Sequence, residues 1–436
     1  MAHDEARPAA FGACRPLCGA VSVPGDKSIS HRALMIAAMA LGRSRIEGLS
    51  KGADVAATAA ALRAMGVGIE RDGEGWSVDG VGAGALRQPA GALDMGNSGT
   101  SARLLMGLAA SHKITATFTG DSSLSRRPMG RVAGPLARLG ADIAAGPGGR
   151  LPLTVRGLCP AVPLVHRLAV PSAQVKSALL LAALNTPGTT RVIEPVATRD
   201  HSERMLKAFG ADISVEGETI SLRGEAELKP RTVRVPGDPS AAAFLAVAAL
   251  VVPGSEVRIE GIGLNPGRAG LFQVLAEMGA DLSFSNRREE GGEPVADLLV
   301  RHCALSGVDV PPELAPAMID EFPILFVAAA FARGVTRTRG LGELRIKESD
   351  RLAAMAEGLR AIGAAVEESE DGLTVPGSGG EPLAGGATID PRLDHRIAMS
   401  FAVAGLHGRR PLIVADMSPA DTSFPGFARL LESLSR

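Results

Sequence analysis

The sequence predicts an α/β protein of two domains, each built from three copies of one strand–helix–strand–helix–strand unit. A turn leading into a helix of small apolar residues recurs six times. It opens at Val23 (VPGDKSISHRALMIAAMALG), Leu93 (LDMGNSGTSARLLMGLAASH), Val170 (VPSAQVKSALLLAALNTPG), Val235, Val310 and Ile389. Each is followed by a second helical pattern, such as DVAATAAALRAMG or GRAGLFQVLAEMG. Most of these end in Gly, the usual residue just past a helix, and run into a strand such as ADISV or ADLSF. The starts lie about 65 to 80 residues apart, longer than the ~20–50 residues of stacked solenoid repeats. Six such units fit two globular halves better. The units opening at Val23, Leu93 and Val170 make one, and those at Val235, Val310 and Ile389 the other. At 436 residues the chain is long enough for two cores.

Composition narrows the function. The net charge is -1, so no global field draws the chain to nucleic acid or a membrane surface. Aromatics make up 3% and Tyr is absent, which removes the base-stacking platforms of nucleic-acid binders. The apolar run Ala241 to Val252 is too short to span a bilayer, which needs ~20 residues, and reads as a buried helix. The opening MAHDEARPAAFGACRP lacks the apolar core of a signal peptide, so a loose tail and a cytoplasmic location are expected. Cys14, Cys18, Cys159 and Cys303 have no zinc-type spacing and read as incidental thiols.

Residues 13 to 22 read as a strand entering the first unit. Asp26, Ser28 or Ser30 caps the first helix. Lys27 stands at its mouth, and Ser28 and Arg32 share one face. Cations at a helix N-terminus oppose the macrodipole, and an anion bound there reverses the balance. In the second unit, Asn97 or Ser98 caps, and Gly99 leaves backbone open to close approach. Of Arg126, Arg127 and Arg131, one is placed to clamp a carboxylate or phosphate. In the third, Ser172 and Gln174 offer neutral hydrogen bonds, and Arg199 follows; His201 reads as a surface residue. The fourth unit's PGDPS lacks the Lys and Arg of the first and reads as structural. The fifth carries Asp320 and Glu321, then RIKESDRLAAM, read as a helix start with Lys347 and Arg351 on one face and Glu348 between them. In the sixth, Asp394 caps and Arg396 lies in the first turn. Cations at several helix mouths suit substrates with several negative charges, each charge-assisted bond being worth ~1.5–3 kcal/mol. Asp320 and Glu348 are the candidate proton carriers.

Together PGDKSISHR, LDMGNSGTSARLLMG, RRPMGR, PSAQVKSALL, IDEFP, IKESDRL and DHRIAMSF resemble the EPSP synthase family, over residues about 20 to 430. The PSAQ, IDEFP and DTSFP patterns resemble its second, less glyphosate-sensitive class. The resemblance implies a two-domain inside-out α/β barrel (EPT/RTPC-like) with six βαβαββ repeats, three per domain. Residues 23–234 would form one domain; 1–22 would join 235–436 in the other. The implied reaction moves the enolpyruvyl group of phosphoenolpyruvate to the 5-hydroxyl of shikimate 3-phosphate, without a cofactor. By motif, Lys27, Ser28, Arg32, Ser172, Ala173 (through its backbone), Gln174, Arg199, Asp320 and Lys347 resemble the shikimate 3-phosphate set. Lys27, Gly99, Arg127, Gln174, Arg351 and Arg396 resemble the phosphoenolpyruvate set. Asp320 is the implied base, and Glu348 or Lys27 the implied proton donor to the methylene carbon.

The chain departs from the family twice. Thr422 stands where many first-class members carry a Lys before T-F-P. Gly99 stands where a glyphosate-tolerant second-class enzyme carries Ala, so inhibition by glyphosate is expected. A monomer with small-molecule partners only is expected. The alternatives are the sister transferase acting on UDP-N-acetylglucosamine, whose loop cysteine is missing from Asp121–Met129, and a non-enzymatic phosphate-ligand binder, which has no need of Asp320 and Glu348.

Overall fold

The computed structural model describes residues 6–435. The chain divides into two compact units, one of residues Met1–Pro24, Gly237–Arg288 and Pro294–Arg436, the other of Gly25–Pro236 and Glu289–Glu293. Each has its own apolar core.

The same sheet recurs in both units, and hydrophobic periodicity explains it. In Arg150–Arg156, Leu151, Leu153 and Val155 point inward while their neighbours face out, the period of two of a half-buried strand. That strand pairs antiparallel with Thr115–Thr119 and Asp142–Gly146, and Leu93–Asp94 adds a parallel edge. Val165–Arg167 plays the same edge part beside Thr189–Ile193.

The first and fourth units exchange this edge strand. Cys18–Ser22, which leads into the first helix, pairs parallel with Glu256–Gly263 of the fourth repeat, inside one compact unit. Thr232–Arg234, which leads into the fourth, pairs parallel with Leu41–Glu47. In the fifth unit isolated bridges at Ser306 and Asp309 replace the edge strand. In the sixth, Ala9–Phe11 closes the sheet against Leu412–Val414.

The first helix of each repeat lies inside and the sheets outside. Every residue of Pro239–Val251 is buried, as is every residue of Phe322–Phe331 and of His395–Gly405. A helix apolar all round must be enclosed by protein. The second helices, such as Gly130–Arg138 and Phe427–Leu434, bury one stripe only. Helices at the centre and half-wet sheets outside define the inside-out α/β barrel, three repeats to a unit. Close packing is needed at the centre: a Cβ on Gly107 would sit 2.2 Å from the Ala178 carbonyl oxygen, so helices Gly99–Ala110 and Ala173–Ala183 meet only because residue 107 is Gly.

Four local expectations are corrected. Part of the expected loose tail is Ala9–Phe11, a strand, and Arg7 is held by Asp416 and Asp421; residues 1–5 lie outside the described residues. The strand expected at 13–22 is confined to Cys18–Ser22. Lys347 and Arg351 do not share a helical face, because the helix begins at Arg351 with Asp350 as its cap, and Lys347 ends a short 3-10 turn. His201 is buried, its Nδ1 2.7 Å from Glu293 Oε1 in the hairpin tip Glu289–Glu293.

Candidate active site

The predicted site residues fall into two sets, one in each unit. In Gly25–Pro236 they gather at three helix starts. Asp26 caps helix Lys27–Met39 by accepting the Ile29 N–H, which leaves Lys27 beside the helix mouth, its Nζ 3.0 Å from Asp54 Oδ2. One turn on, Arg32 is buried among hydroxyls. Its Nε donates to Ser202 Oγ (2.7 Å), Nη2 to Ser177 Oγ (2.6 Å) and Nη1 to the Ser28 carbonyl (2.9 Å). Arg199 Nη1 donates to Ser28 Oγ at 3.2 Å. Ser172 caps helix Ala173–Ala183 by accepting the Val175 N–H. Two guanidinium groups thus converge on Ser28, with Ser177 and Ser202 completing an arrangement suited to an oxyanion.

The second cluster lies around Gly99. Ser98 caps helix Gly99–Ala110. Gln174 accepts from Arg103 Nη1 (2.9 Å) and donates to Thr100 Oγ1 (3.0 Å). Arg127, 6% exposed, donates to Asn97 and to Ser123 Oγ (3.2 Å). A Cβ on Gly99 would lie 2.9 Å from Arg103 Nη1 and 3.3 Å from Arg127 Nη1, so its missing side chain leaves room beside two cations. Behind these helix starts lies buried His31, its Nδ1 2.7 Å from Thr58 Oγ1. Burial first, and the charges of Lys27 and Arg32 next, push its imidazole well below the ordinary histidine range. It is a neutral strut.

The other unit assembles the fifth- and sixth-repeat residues around Arg351. This guanidinium is 1% exposed and meets three carboxylates: Asp394 (Nε to Oδ2, 2.8 Å), Glu348 (Nη2 to Oε2, 2.6 Å) and Asp320 (Nη1 to Oδ1, 3.3 Å). Burial opposes its charge, but Asp394, then Glu348 and Asp320, outweigh it and raise its pKa beyond that of a free arginine. Lys347 Nζ stands 3.8 Å from Asp320 Oδ1. Arg396 Nη1 donates to the Asp320 carbonyl (2.8 Å), and the Arg396 N–H donates to Asp394, the cap of its helix. Residue 320 thus touches Arg351 through its side chain and Arg396 through its backbone.

The sequence alone does not mark Arg103, Thr100, Ser177 and Ser202, which these clusters also contain. Arg103 is four residues after Gly99, one helical turn, and that spacing was the available signal. The hydroxyls gave none. Among the described residues no group of three or more His, Cys, Asp or Glu is arranged to hold a metal ion. No single helix among them is long and apolar enough to cross a membrane.

The architecture is shared with a solved enolpyruvyl transferase, NikO from Streptomyces tendae, at a TM-score of 0.79 and 21% identity over 98% of both chains, a likeness of fold alone. The EPSP synthase of Acinetobacter baumannii superposes at a TM-score of 0.87 with 44% identity, again over 98% of each chain. Residues 13–431 match the profile of EPSP synthase (3-phosphoshikimate 1-carboxyvinyltransferase). The 3-phosphoshikimate 1-carboxyvinyltransferase of Sphingopyxis alaskensis is 64% identical over the whole of both chains, and that of Zymomonas mobilis 60% over 96% of this chain and 94% of its own. The chain belongs to the EPSP synthase family.

Proposed function

We propose that the chain transfers the enolpyruvyl group of phosphoenolpyruvate to the 5-hydroxyl of shikimate 3-phosphate, releasing phosphate, on the route to chorismate and the aromatic amino acids. The observation that carries this, beside family membership, is the presence of two separate basic clusters at helix starts of one unit. One is Arg32 and Arg199 over Ser28; the other is Arg103 and Arg127 around Gly99. Two anionic substrates need two such clusters.

Lys27, Ser28, Arg32, Ser172, the Ala173 backbone, Gln174, Arg199, Asp320 and Lys347 would hold shikimate 3-phosphate. Lys27, Gly99, Arg127, Gln174, Arg351 and Arg396 would hold phosphoenolpyruvate. Glu348 or Lys27 delivers a proton to the methylene carbon, which makes C2 electrophilic. The 5-hydroxyl adds to C2 while Asp320 takes its proton, giving a tetrahedral phospho-ketal. Loss of phosphate and of a methyl proton yields the enol ether. Each proton transfer by a positioned group contributes about 10²–10⁴-fold, and the fixed cations stabilise phosphate as it leaves. Thr422 spends its hydroxyl on the Pro419 carbonyl and offers no cation in place of the family's Lys. The enzyme is proposed to work as a cytoplasmic monomer on small molecules alone.

Phosphate release should require both substrates together and be absent with either alone. Release with UDP-N-acetylglucosamine in place of shikimate 3-phosphate would transfer the chain to the sister activity. Silence with both acceptors would leave only the binder.

The same geometry yields an inhibition prediction. Glyphosate is longer than phosphoenolpyruvate and needs the room beside Gly99. Wild type should be inhibited with a constant near or below its KM for phosphoenolpyruvate. Gly99→Ala, whose methyl crowds Arg103 and Arg127, should weaken inhibition about tenfold or more, with a smaller rise in that KM. An unchanged inhibition constant in the variant would refute the steric account.

A further inference from the structure

Lys176 lies in the first turn of helix Ala173–Ala183, 1% exposed. Its position is unfavourable twice over: the helix N-terminus repels a cation, and burying an ammonium costs several kcal/mol before any partner is found. Two carboxylates compensate. Nζ lies 2.8 Å from Glu194 Oε2 and 2.8 Å from Glu203 Oε1, both themselves buried. A buried pair of this kind is seldom the cheapest route to stability, since apolar residues of similar volume serve as well. Here it is not even balanced, with two carboxylates to one ammonium. Burial pushes the Glu203 carboxyl up despite Lys176, and its Oε2 is buried without a hydrogen-bond partner.

The topology of the triad gives it a purpose. Glu194 follows strand Thr189–Ile193 and Glu203 lies in helix His201–Ala208, so the two bracket Arg199 in the chain. The near end is tightened further by the Thr198 hydroxyl, which donates to Glu194 Oε1 at 2.5 Å. At the far end, Ser202 holds Arg32. One ammonium therefore ties both ends of the loop that delivers Arg199 to Ser28 onto the helix that starts with Ser172 and Gln174.

We propose that Lys176, through Glu194 and Glu203, is a positioning residue for the shikimate 3-phosphate site, holding the 194–203 loop so that Arg199 stays in place over Ser28. The inference rests on the function proposed above. Lys176 touches no substrate and acts only through the loop.

The test is Lys176→Met in the full chain, with KM measured for each substrate, kcat, and calorimetric titration of shikimate 3-phosphate alone. The expected result is a rise of about tenfold or more in KM and Kd for shikimate 3-phosphate, with KM for phosphoenolpyruvate changed by less than about threefold. A simple loss of packing would not split the two substrates. In a double-mutant cycle, Lys176→Met added to Arg199→Ala should cost little beyond Arg199→Ala itself, because the two changes remove the same contact. Lys176→Arg, which keeps the charge, should recover most of the loss. If Lys176→Met does not fold, Glu194→Gln gives the same split at smaller size, since Lys176 keeps Glu203. A folded variant with unchanged affinity for shikimate 3-phosphate, or with equal losses for both substrates, overturns the proposal. Wild type that binds shikimate 3-phosphate without turnover overturns only the enzymatic function, and the Kd comparison still decides for or against Lys176. Wild type that neither binds nor reacts overturns both.

Discussion

Arg351→Ala is expected to abolish measurable turnover and to destabilise its unit by roughly 3–5 kcal/mol, the usual result of removing one partner from a buried charge cluster. Asp394 is fully buried, and the Arg351 guanidinium lies 2.8 Å from its Oδ2. Without Arg351, Asp394 keeps the Ser349 hydroxyl and the Arg396 N–H but loses the guanidinium that pairs with it. Glu348 and Asp320 lose the same cation, and Asp320 keeps Lys347 at 3.8 Å. A thermal melt lowered by several degrees, with phosphate release below detection, is the expected pair of observations. Arg351→Lys separates the two effects. It keeps a positive charge but cannot reach three carboxylates in a planar fork, so stability should largely return while turnover stays low. An Arg351→Ala enzyme that melts like wild type would show that the carboxylates find other compensation, and Arg351 would lose its organising part.

Arg351 also shows where legibility ended. Its motif, KESDRL, is plain in the sequence, and residue type alone marks Asp394 as a helix cap. The helix mouths were readable because capping is local: Asp26, Ser98, Ser172 and Asp394 each bond an N–H within three residues. What surrounds a mouth is not local. RIKESDRL read as a charged helix face, whereas the chain spends Lys347 to Asp350 in a turn and buries the arginine against carboxylates 31 and 43 residues away. His201, expected at the surface, is buried for the same reason: its partner Glu293 lies 92 residues on, in a hairpin tip that no periodicity marks. Lys176 is a lone cation in an apolar helix, and nothing near it in sequence announces two glutamates. The six repeats were legible from their spacing. The exchange of edge strands Cys18–Ser22 and Thr232–Arg234 was not legible in periodicity, because strands of three and five residues pair as well with one neighbour as another until the fold is known; the family resemblance alone implied it.

Asp320→Ala should leave the fold intact and cut kcat by about 10²–10⁴-fold, the range for losing a positioned proton acceptor. Two features separate this outcome from that at Arg351. Asp320 is partly exposed, so no buried charge is stranded when it goes, and Arg351 keeps Asp394 and Glu348. Its carbonyl, which receives Arg396 Nη1, is main chain and survives the substitution. The phosphoenolpyruvate cations should therefore stay in place, and the KM for that substrate should move by less than about threefold. The loss falls on the step in which the 5-hydroxyl gives up its proton. Asp320→Asn sharpens the point: the amide preserves size and can still accept from Arg351, but it cannot take a proton. If Asn restores more than about a tenth of wild-type kcat, Asp320 serves as a hydrogen-bond acceptor and the base lies elsewhere. If Asn is as slow as Ala while shikimate 3-phosphate still binds, the carboxylate's charge and basicity carry the reaction, and Glu348, held 2.6 Å from Arg351, is left to the proton chemistry at the methylene carbon.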